Sequence, residues 1–448
     1  MREPVDSMAD ESIQEPKRDP APLRPGSEPA IRDASGKPRG PKGGPVVRVD
    51  LLEGVRGMLA SWVMLGHFSL FLGAATLIKT QGSSLLGKVA FLATNGDVPV
   101  CLFMCISGFV ICHLIQSRAE PYGVYIARRF MRLFPALLCC FVLGLLVSYW
   151  QSSVPSRLPW GQDDWLTGQA SKALLHRQYA LANILAHLTM VHGLVPPSWW
   201  PDASGAFLGP AWSISTEWQF YLIAPLAVAA ARKVSTLAVL CVGIVALQWA
   251  FSKLRLGAAM EHYNGAFLGF YIQYFFVGGV SYVLWRILRK AVSNAAVSQP
   301  RLQGLVLCGG TIAVFMLMPA LTGLASGVSS LTPFLTTSIF AIWIFLFSCL
   351  CQITAAPQAL EAKLIEKIGC SRAALFLGKA SYSIYLVHFP VGMALLRLSE
   401  PAWGLPRPAF AVLFLVAGSL VTYACAGLLY HYLEAPAIDW AKKKFGER

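Results

Sequence analysis

From about residue 50 onward the chain is a succession of long apolar runs separated by short polar segments. It shows neither the two-residue alternation of half-buried strands nor the one-sided stripe of surface helices. Ten runs lie near 51–75, 97–116, 133–150, 212–230, 235–252, 267–285, 303–320, 333–352, 376–396 and 408–430. Each is close to the roughly 17–25 residues that a helix needs to cross a bilayer. The pattern predicts an all-α polytopic membrane protein of about ten transmembrane helices, the seventh weakened by Pro319. Residues 1–46 are rich in proline and mixed charge and contain no apolar run, which predicts a disordered tail rather than a signal or transit peptide. The domains expected are thus the tail at 1–46, a membrane domain at 47–440 with a long loop at about 151–211, and a basic tail at 441–448.

Composition agrees with this pattern. Of 448 residues 55% are hydrophobic and 13% charged, against about 25% charged in soluble domains. The net charge of +14 could point to nucleic acid, but cytosolic loops of membrane proteins are basic as a rule. With the N-terminus inside, the cytosolic segments hold 22 Lys and Arg and the outer segments 9. That asymmetry predicts both termini in the cytosol, the 151–211 loop outside, contact with membrane lipids and no nucleic-acid partner. The 11 cysteines form no CxxC pair and mostly sit in apolar runs, as small buried hydrophobes do. They fix no redox compartment, and no metal site is expected.

Ionisable groups inside apolar spans are costly and mark functional interiors. In "LLEGVRGMLASWVMLGHF", Arg56 and His67 are eleven positions apart, so they share a helix face about 16 Å apart in rise. The fourth span carries Glu217 in "WSISTEWQFY", and the ninth carries Tyr382 and His388 in "SYSIYLVHFP". His67, Glu217 and His388 fall at similar depth, in the middle to outer bilayer. Each alone could be a polar group satisfied by a neighbouring helix; three above an arginine point to acid–base chemistry. "RRFMRLFP" places Arg128 and Arg132 one turn apart, flanked by Arg129. Such forks suit phosphate oxygens, although juxtamembrane arginines also set topology. The 151–211 loop carries Trp160, Trp165, Trp199 and Trp200, suited to stacking on a sugar or to an interfacial belt. No Walker loop, dinucleotide fingerprint, HExxH or GxSxG motif occurs.

Six segments in order, "LLEGVRGMLASWVMLGHF", "FMCISGFVI", "RRFMRLFPA", "GPAWSISTEWQFYLIAPL", "GKASYSIYLVHFP" and "YLEAP", resemble the acyltransferase-3 family of integral membrane O-acyltransferases over about residues 48–440. The resemblance implies an acyltransferase for groups other than aminoacyl. It would move an acyl group, acetyl being the expectation, from cytosolic acyl-CoA to a hydroxyl of a carbohydrate or lipid-linked glycan at the outer face. O-acetylation of a polysaccharide at a bacterial cytoplasmic (inner) membrane fits that description. Carried over, His67 is the general base, with Glu217 orienting and stabilising its imidazole. Arg56, Arg128, Arg129 and Arg132 hold the donor phosphates. Trp160, Trp165, His388 and Tyr382 are expected on the acceptor side. Two positions depart from the family pattern: Glu53 stands where Asp is usual, and Trp218 replaces a second glutamate.

The alternative is a secondary transporter or exporter, because intramembrane charges also line permeation paths. The motif series and the lack of an internal repeat favour transfer chemistry. Deleting residues 1–40, which have no apolar face to bury, is expected to leave acyl transfer by the purified protein unchanged; lost transfer from a well-expressed truncation would give the tail a docking role.

Overall fold

In a computed structural model of the chain, residues 46–81, 84–117, 120–196, 199–230, 266–293 and 331–446 are described, with 243 and 246. The tail before residue 46 and the seventh expected span lie outside them, and the fifth almost wholly so. Among the described residues every regular element is helical. In chain order they are α1 (Val46–Phe71), α2 (Ala74–Gln81), α3 (Leu85–Thr94), α4 (Asp97–Ser117), α5 (Tyr122–Ser153), α6 (Asp164–Gln178), α7 (Ala180–Leu188) and α8 (Ala211–Ala230). They continue with α9 (Ile272–Ser293), α10 (Leu331–Ala355), α11 (Leu360–Gly369), α12 (Arg372–Lys379), α13 (Ser381–Leu398), α14 (Arg407–Leu429) and α15 (Ala435–Phe445).

Four described segments are long and apolar enough to cross a membrane: Asp97–Ser117, Tyr122–Arg157, Thr336–Ala355 and Arg407–Phe445. A bent pair, Asp50–Phe71 with Ala74–Thr80, would make a fifth. The first expected span therefore ends at Phe71 rather than 75. Gly73 adopts φ +80° there, a left-handed conformation that a residue with a Cβ rarely tolerates, and the chain turns through 87°. Helices stand at the fourth, sixth and ninth expected positions but fall short of that apolarity. They carry Glu217 and Gln219 (α8), Arg286, Arg289 and Lys290 (α9), and Tyr382 and His388 (α13). The expected basic tail is helical as far as Phe445, with Lys442, Lys443 and Lys444 in the last turn of α15.

Helices in a lipid-like environment gain little from hydrophobic burial against one another, so close backbone approach and hydrogen bonds hold them. α4 and α9 meet at reciprocal glycines. A Cβ on Gly108 would lie 2.0 Å from the Phe275 carbonyl oxygen, and one on Gly278 would lie 1.9 Å from that of Cys105. Further along the same region, the Trp343 indole donates to Ser281 at 3.1 Å and that of Trp285 to Thr354 at 2.8 Å. The α1 helix is seated against α12: a Cβ on Gly57 would meet the Gly378 backbone nitrogen at 2.7 Å. The Tyr423 hydroxyl of α14 also donates to Ser61 at 2.9 Å. These contacts fix the rotation of α1 and hence where Arg56 and His67 point.

The 151–211 segment folds as α6, α7 and short 3₁₀ turns. Asp163 caps α6 by accepting from the backbone of Trp165 and Leu166, and its other oxygen accepts from the Thr76 backbone and hydroxyl, both at 2.8 Å. One carboxylate thus starts a helix and ties it to α2. The described non-glycine residues with left-handed backbone, Met190, Asp202 and Phe207, all lie in this segment. Backbone strain of this kind persists only where the surroundings over-determine it, and it clusters at functional walls.

The glycine contact of α4 and α9 gives a direct test. Gly108→Leu or Gly278→Leu is expected to cost at least the 1–3 kcal/mol typical of overpacking. It should lower the unfolding temperature in detergent, read by intrinsic fluorescence, whereas Gly123→Ala, with no atom within 4 Å of its Cβ position, should not.

Candidate active site

Eleven positions on one helix separate two polar levels. At the upper level His67 of α1 meets His388 of α13: Nδ1 of His67 lies 3.2 Å from Nε2 of His388 and 3.1 Å from the Val63 carbonyl. The Nδ1 atom of His388 lies 3.2 Å from the Ile384 carbonyl. The carbonyl partners assign the tautomers. His388 donates its Nδ1 proton to Ile384 and keeps a lone pair on Nε2. His67 shares its Nδ1 proton between Val63 and His388, which leaves its own Nε2 as a base. Phe389 stands edge-on to the His67 ring, with centroids 5.9 Å apart, and Trp165 tilts over it at 6.3 Å.

His67 lines a cavity of about 1010 Å³ whose walls come from α1, α2, α3, the start of α4, α6, the 201–210 segment, the start of α8 and α13. Trp165, Trp212, Tyr271 and Phe389 supply aromatic faces to it, and Asn95, Asp97, Gln169 and Lys172 supply polar groups. On the far wall His176 bonds Asp202 at 2.7 Å, and Lys172 pairs with the other carboxylate oxygen at 3.2 Å. Burial pushes the Asp202 carboxyl upward, but the His176 and Lys172 contacts outweigh it and hold the group below its ordinary value.

The lower level lies around Arg56. A small cavity of about 40 Å³ is lined by Arg56, Ser107, Ser213, Glu217 and Tyr382, among others. Glu217 accepts from Ser107 at 2.9 Å and from the Tyr221 hydroxyl one turn along its own helix. Arg56 and Arg132 interact electrostatically with each other, with Glu53 and with Glu217. Glu434, buried in a π-helical turn (Tyr430–Glu434), accepts from Ser383 at 2.7 Å and faces both guanidinium groups. The guanidinium of Arg129 lies over the Tyr125 and Tyr221 rings at 5.9 and 5.8 Å. Its buried Nε has no hydrogen-bond partner among the described residues. Arg128 is paired with Glu120 and donates to the Gly446 carbonyl.

The structure therefore sorts the expected residues. His67 and His388 come together, and Arg56, Arg132 and Glu217 come together one level away. Glu217 is expected against the His67 imidazole, but the structure places it elsewhere. Ser107 and Tyr221 hold its carboxylate in the lower cavity, and the imidazole's neighbour is His388. Trp165 lines the large cavity and Trp160 does not. The Trp160 indole donates to the Phe71 carbonyl at 2.9 Å, and Arg407 covers its face at 5.7 Å. Tyr382 donates to the Leu133 carbonyl at 2.7 Å and faces the lower cavity rather than the upper one. Trp200 is tied to Asn183 at 2.9 Å, and Trp199 is exposed. Glu434 is the site residue that residue-by-residue reasoning passes over. Its signal is the closing "YLEAP", whose acidic position is buried in a turn that leaves His431 and Tyr432 exposed.

Comparison with known proteins gives the arrangement a context. The family model described as "Acyltransferase domain" in the acyltransferase-3 family matches residues 49–431. Acyltransferase MdmB of Streptomyces mycarofaciens is 26% identical over 419 residues, covering 88% of this chain and 92% of that protein. No solved structure matches the chain. The matched region contains both polar levels except Glu434, the arginines of α5 and most of the apolar helices. The chain is a membrane acyltransferase and belongs to the acyltransferase-3 family.

Proposed function

We propose that this protein moves an acyl group, acetyl in the simplest case, from cytosolic acyl-CoA to a hydroxyl of a sugar or glycan at the outer face of the bacterial cytoplasmic membrane. Ten spans with both termini in the cytosol, as the basic-residue asymmetry predicts, put the arginine level inside and the large cavity outside. The observation that carries the reading is the Nε2 of His67, a base with its tautomer held from behind, facing a cavity large enough for a sugar.

The chemistry follows from that geometry. An acceptor hydroxyl in the upper cavity attacks the thioester carbonyl while Nε2 of His67 takes its proton. The tetrahedral intermediate collapses, the C–S bond breaks, and the imidazolium returns the proton to the departing thiolate. His388 fixes the ring as the third member of a triad does. Being neutral in its assigned tautomer, it orients the base and contributes less to stabilising the imidazolium than a carboxylate would. The aromatic faces of Trp165 and Trp212 suit a sugar ring, and Asn95, Asp97 and Gln169 suit its hydroxyls. At the inner level the unpartnered Nε of Arg129 fits a phosphate oxygen, with Arg132 and Arg56 behind it.

His67→Ala is expected to lower transfer from labelled acetyl-CoA by about 10²–10⁴-fold in purified, folded protein. His388→Ala should lower kcat with a smaller effect on either KM. Near-normal turnover of the His67 variant would remove the base from the mechanism, whereas absence of transfer by the wild-type protein would favour an exporter of the same architecture.

The arginines separate by their partners. Arg129→Ala and Arg132→Ala should raise the KM for acyl-CoA several-fold, and added salt should reproduce part of that rise by screening the phosphate charge. Arg128→Ala should change it less, because Glu120 and the Gly446 carbonyl already engage that side chain. Equal effects from all three, or none, would return the cluster to a purely topological role.

A further inference from the structure

The two cavities share part of their lining. Val100 and Tyr385 line both, with Arg56, Ser107 and Glu217 on one side and His67 and Phe389 on the other. Both shared residues are buried. Tyr385 precedes His388 by three residues on the same face of α13, and the two rings lie 6.1 Å apart. The Tyr385 hydroxyl is 2.7 Å from the Ser213 hydroxyl and donates to the Pro210 carbonyl at 3.1 Å. Phe103 flanks the same ring at 6.1 Å. The lower cavity, about 40 Å³ against about 1010 Å³ for the upper one, has no room for an acylated pantetheine arm. In this conformation the partition is closed.

We propose that Val100 and Tyr385 form the constriction through which the acyl group must pass to reach His67, and that their bulk sets the largest acyl group transferred. The inference rests on the acyl-CoA reading above. A donor with its phosphates at the arginine level presents its thioester at the histidine level only by crossing this point. The Tyr385 hydroxyl is held by two hydrogen bonds, with Ser213 at the start of α8 and to the Pro210 carbonyl in the turn before it. Once those bonds are released, the ring can swing about its first side-chain torsion and open the passage. Val100 has no such freedom, because a β-branched side chain on a helix has essentially one rotamer. Val100 therefore sets the fixed width and Tyr385 the movable one.

The test is a chain-length profile of acyl-CoA donors, acetyl through hexanoyl, measured as kcat/KM with the full-length protein. Val100→Ala should raise butyryl relative to acetyl transfer by about tenfold or more, the scale of a methylene or two accommodated in an apolar slot. Tyr385→Phe, which keeps the ring and frees it from Ser213 and Pro210, should shift the same ratio in the same direction. Val100→Phe should reduce transfer of every chain length while leaving the affinity for free coenzyme A within about twofold. A butyryl-to-acetyl ratio unchanged in both Val100→Ala and Tyr385→Phe overturns the proposal, whether or not Val100→Phe folds. Absence of transfer from any acyl-CoA by the wild-type protein would instead overturn the acyl-CoA reading itself, so the two failures are distinguishable.

Discussion

A polar group placed among apolar helices must find its partner within the bundle, because lipid offers none. That constraint organises this molecule. Nδ1 of His67 is met by Val63 and His388, Glu217 by Ser107 and Tyr221, Glu434 by Ser383, and Tyr385 by Ser213 and Pro210. Several of these contacts join different helices, so the groups that do chemistry also fix helix order and rotation. The glycine contacts act toward the same end. Gly57 against Gly378 brings α1 close enough to α12 that the Arg56 face cannot turn away from the interior.

The two-level arrangement resolves a conflict of environments. On the acyl-CoA reading proposed above, a donor with several negative charges calls for guanidinium groups, whereas attack on its thioester calls for a neutral base. Placing both at one level would surround the base with cations and counter-ions. Separating them by three helical turns on α1 lets each keep its own surroundings. Aromatic rings surround the imidazole, and carboxylates surround the guanidinium groups. On the same reading a passage must join the levels, and Val100 and Tyr385, which line both cavities, are the residues proposed to form it.

Much of this was legible along the chain, and the parts that were not share a physical cause. The shared face of Arg56 and His67 follows from helix geometry within one element, and the structure places both on α1 facing successive cavities. The partner of His67 is a tertiary fact. By depth alone Glu217 and His388 are equal candidates. A local clue separates them: Tyr221 lies one turn from Glu217 on the same helix and satisfies it, while His388 has only its own backbone. Trp160 and Trp165 are likewise equivalent by position in the loop. Only the contact of Trp160 with Phe71 and Arg407 shows which ring is spent on structure. The end of the first helix was misjudged because its apolar run continues past Gly73, where backbone conformation rather than hydropathy ends it.

Charge balance at the lower level accounts for the difference among the arginines. Removing a charge from water costs several kcal/mol unless a partner compensates it. Glu53, Glu217 and Glu434 stand in the electrostatic surroundings of Arg56 and Arg132. Those two guanidinium groups are therefore part of the bundle's own network before any donor arrives. Arg128 is compensated separately by Glu120. Arg129 lies over the faces of two tyrosines, which attract a cation without neutralising it, and Glu120 also acts on it electrostatically. On the reading proposed above, the Nε of Arg129, which has no hydrogen-bond partner among the described residues, is a group open to a donor phosphate.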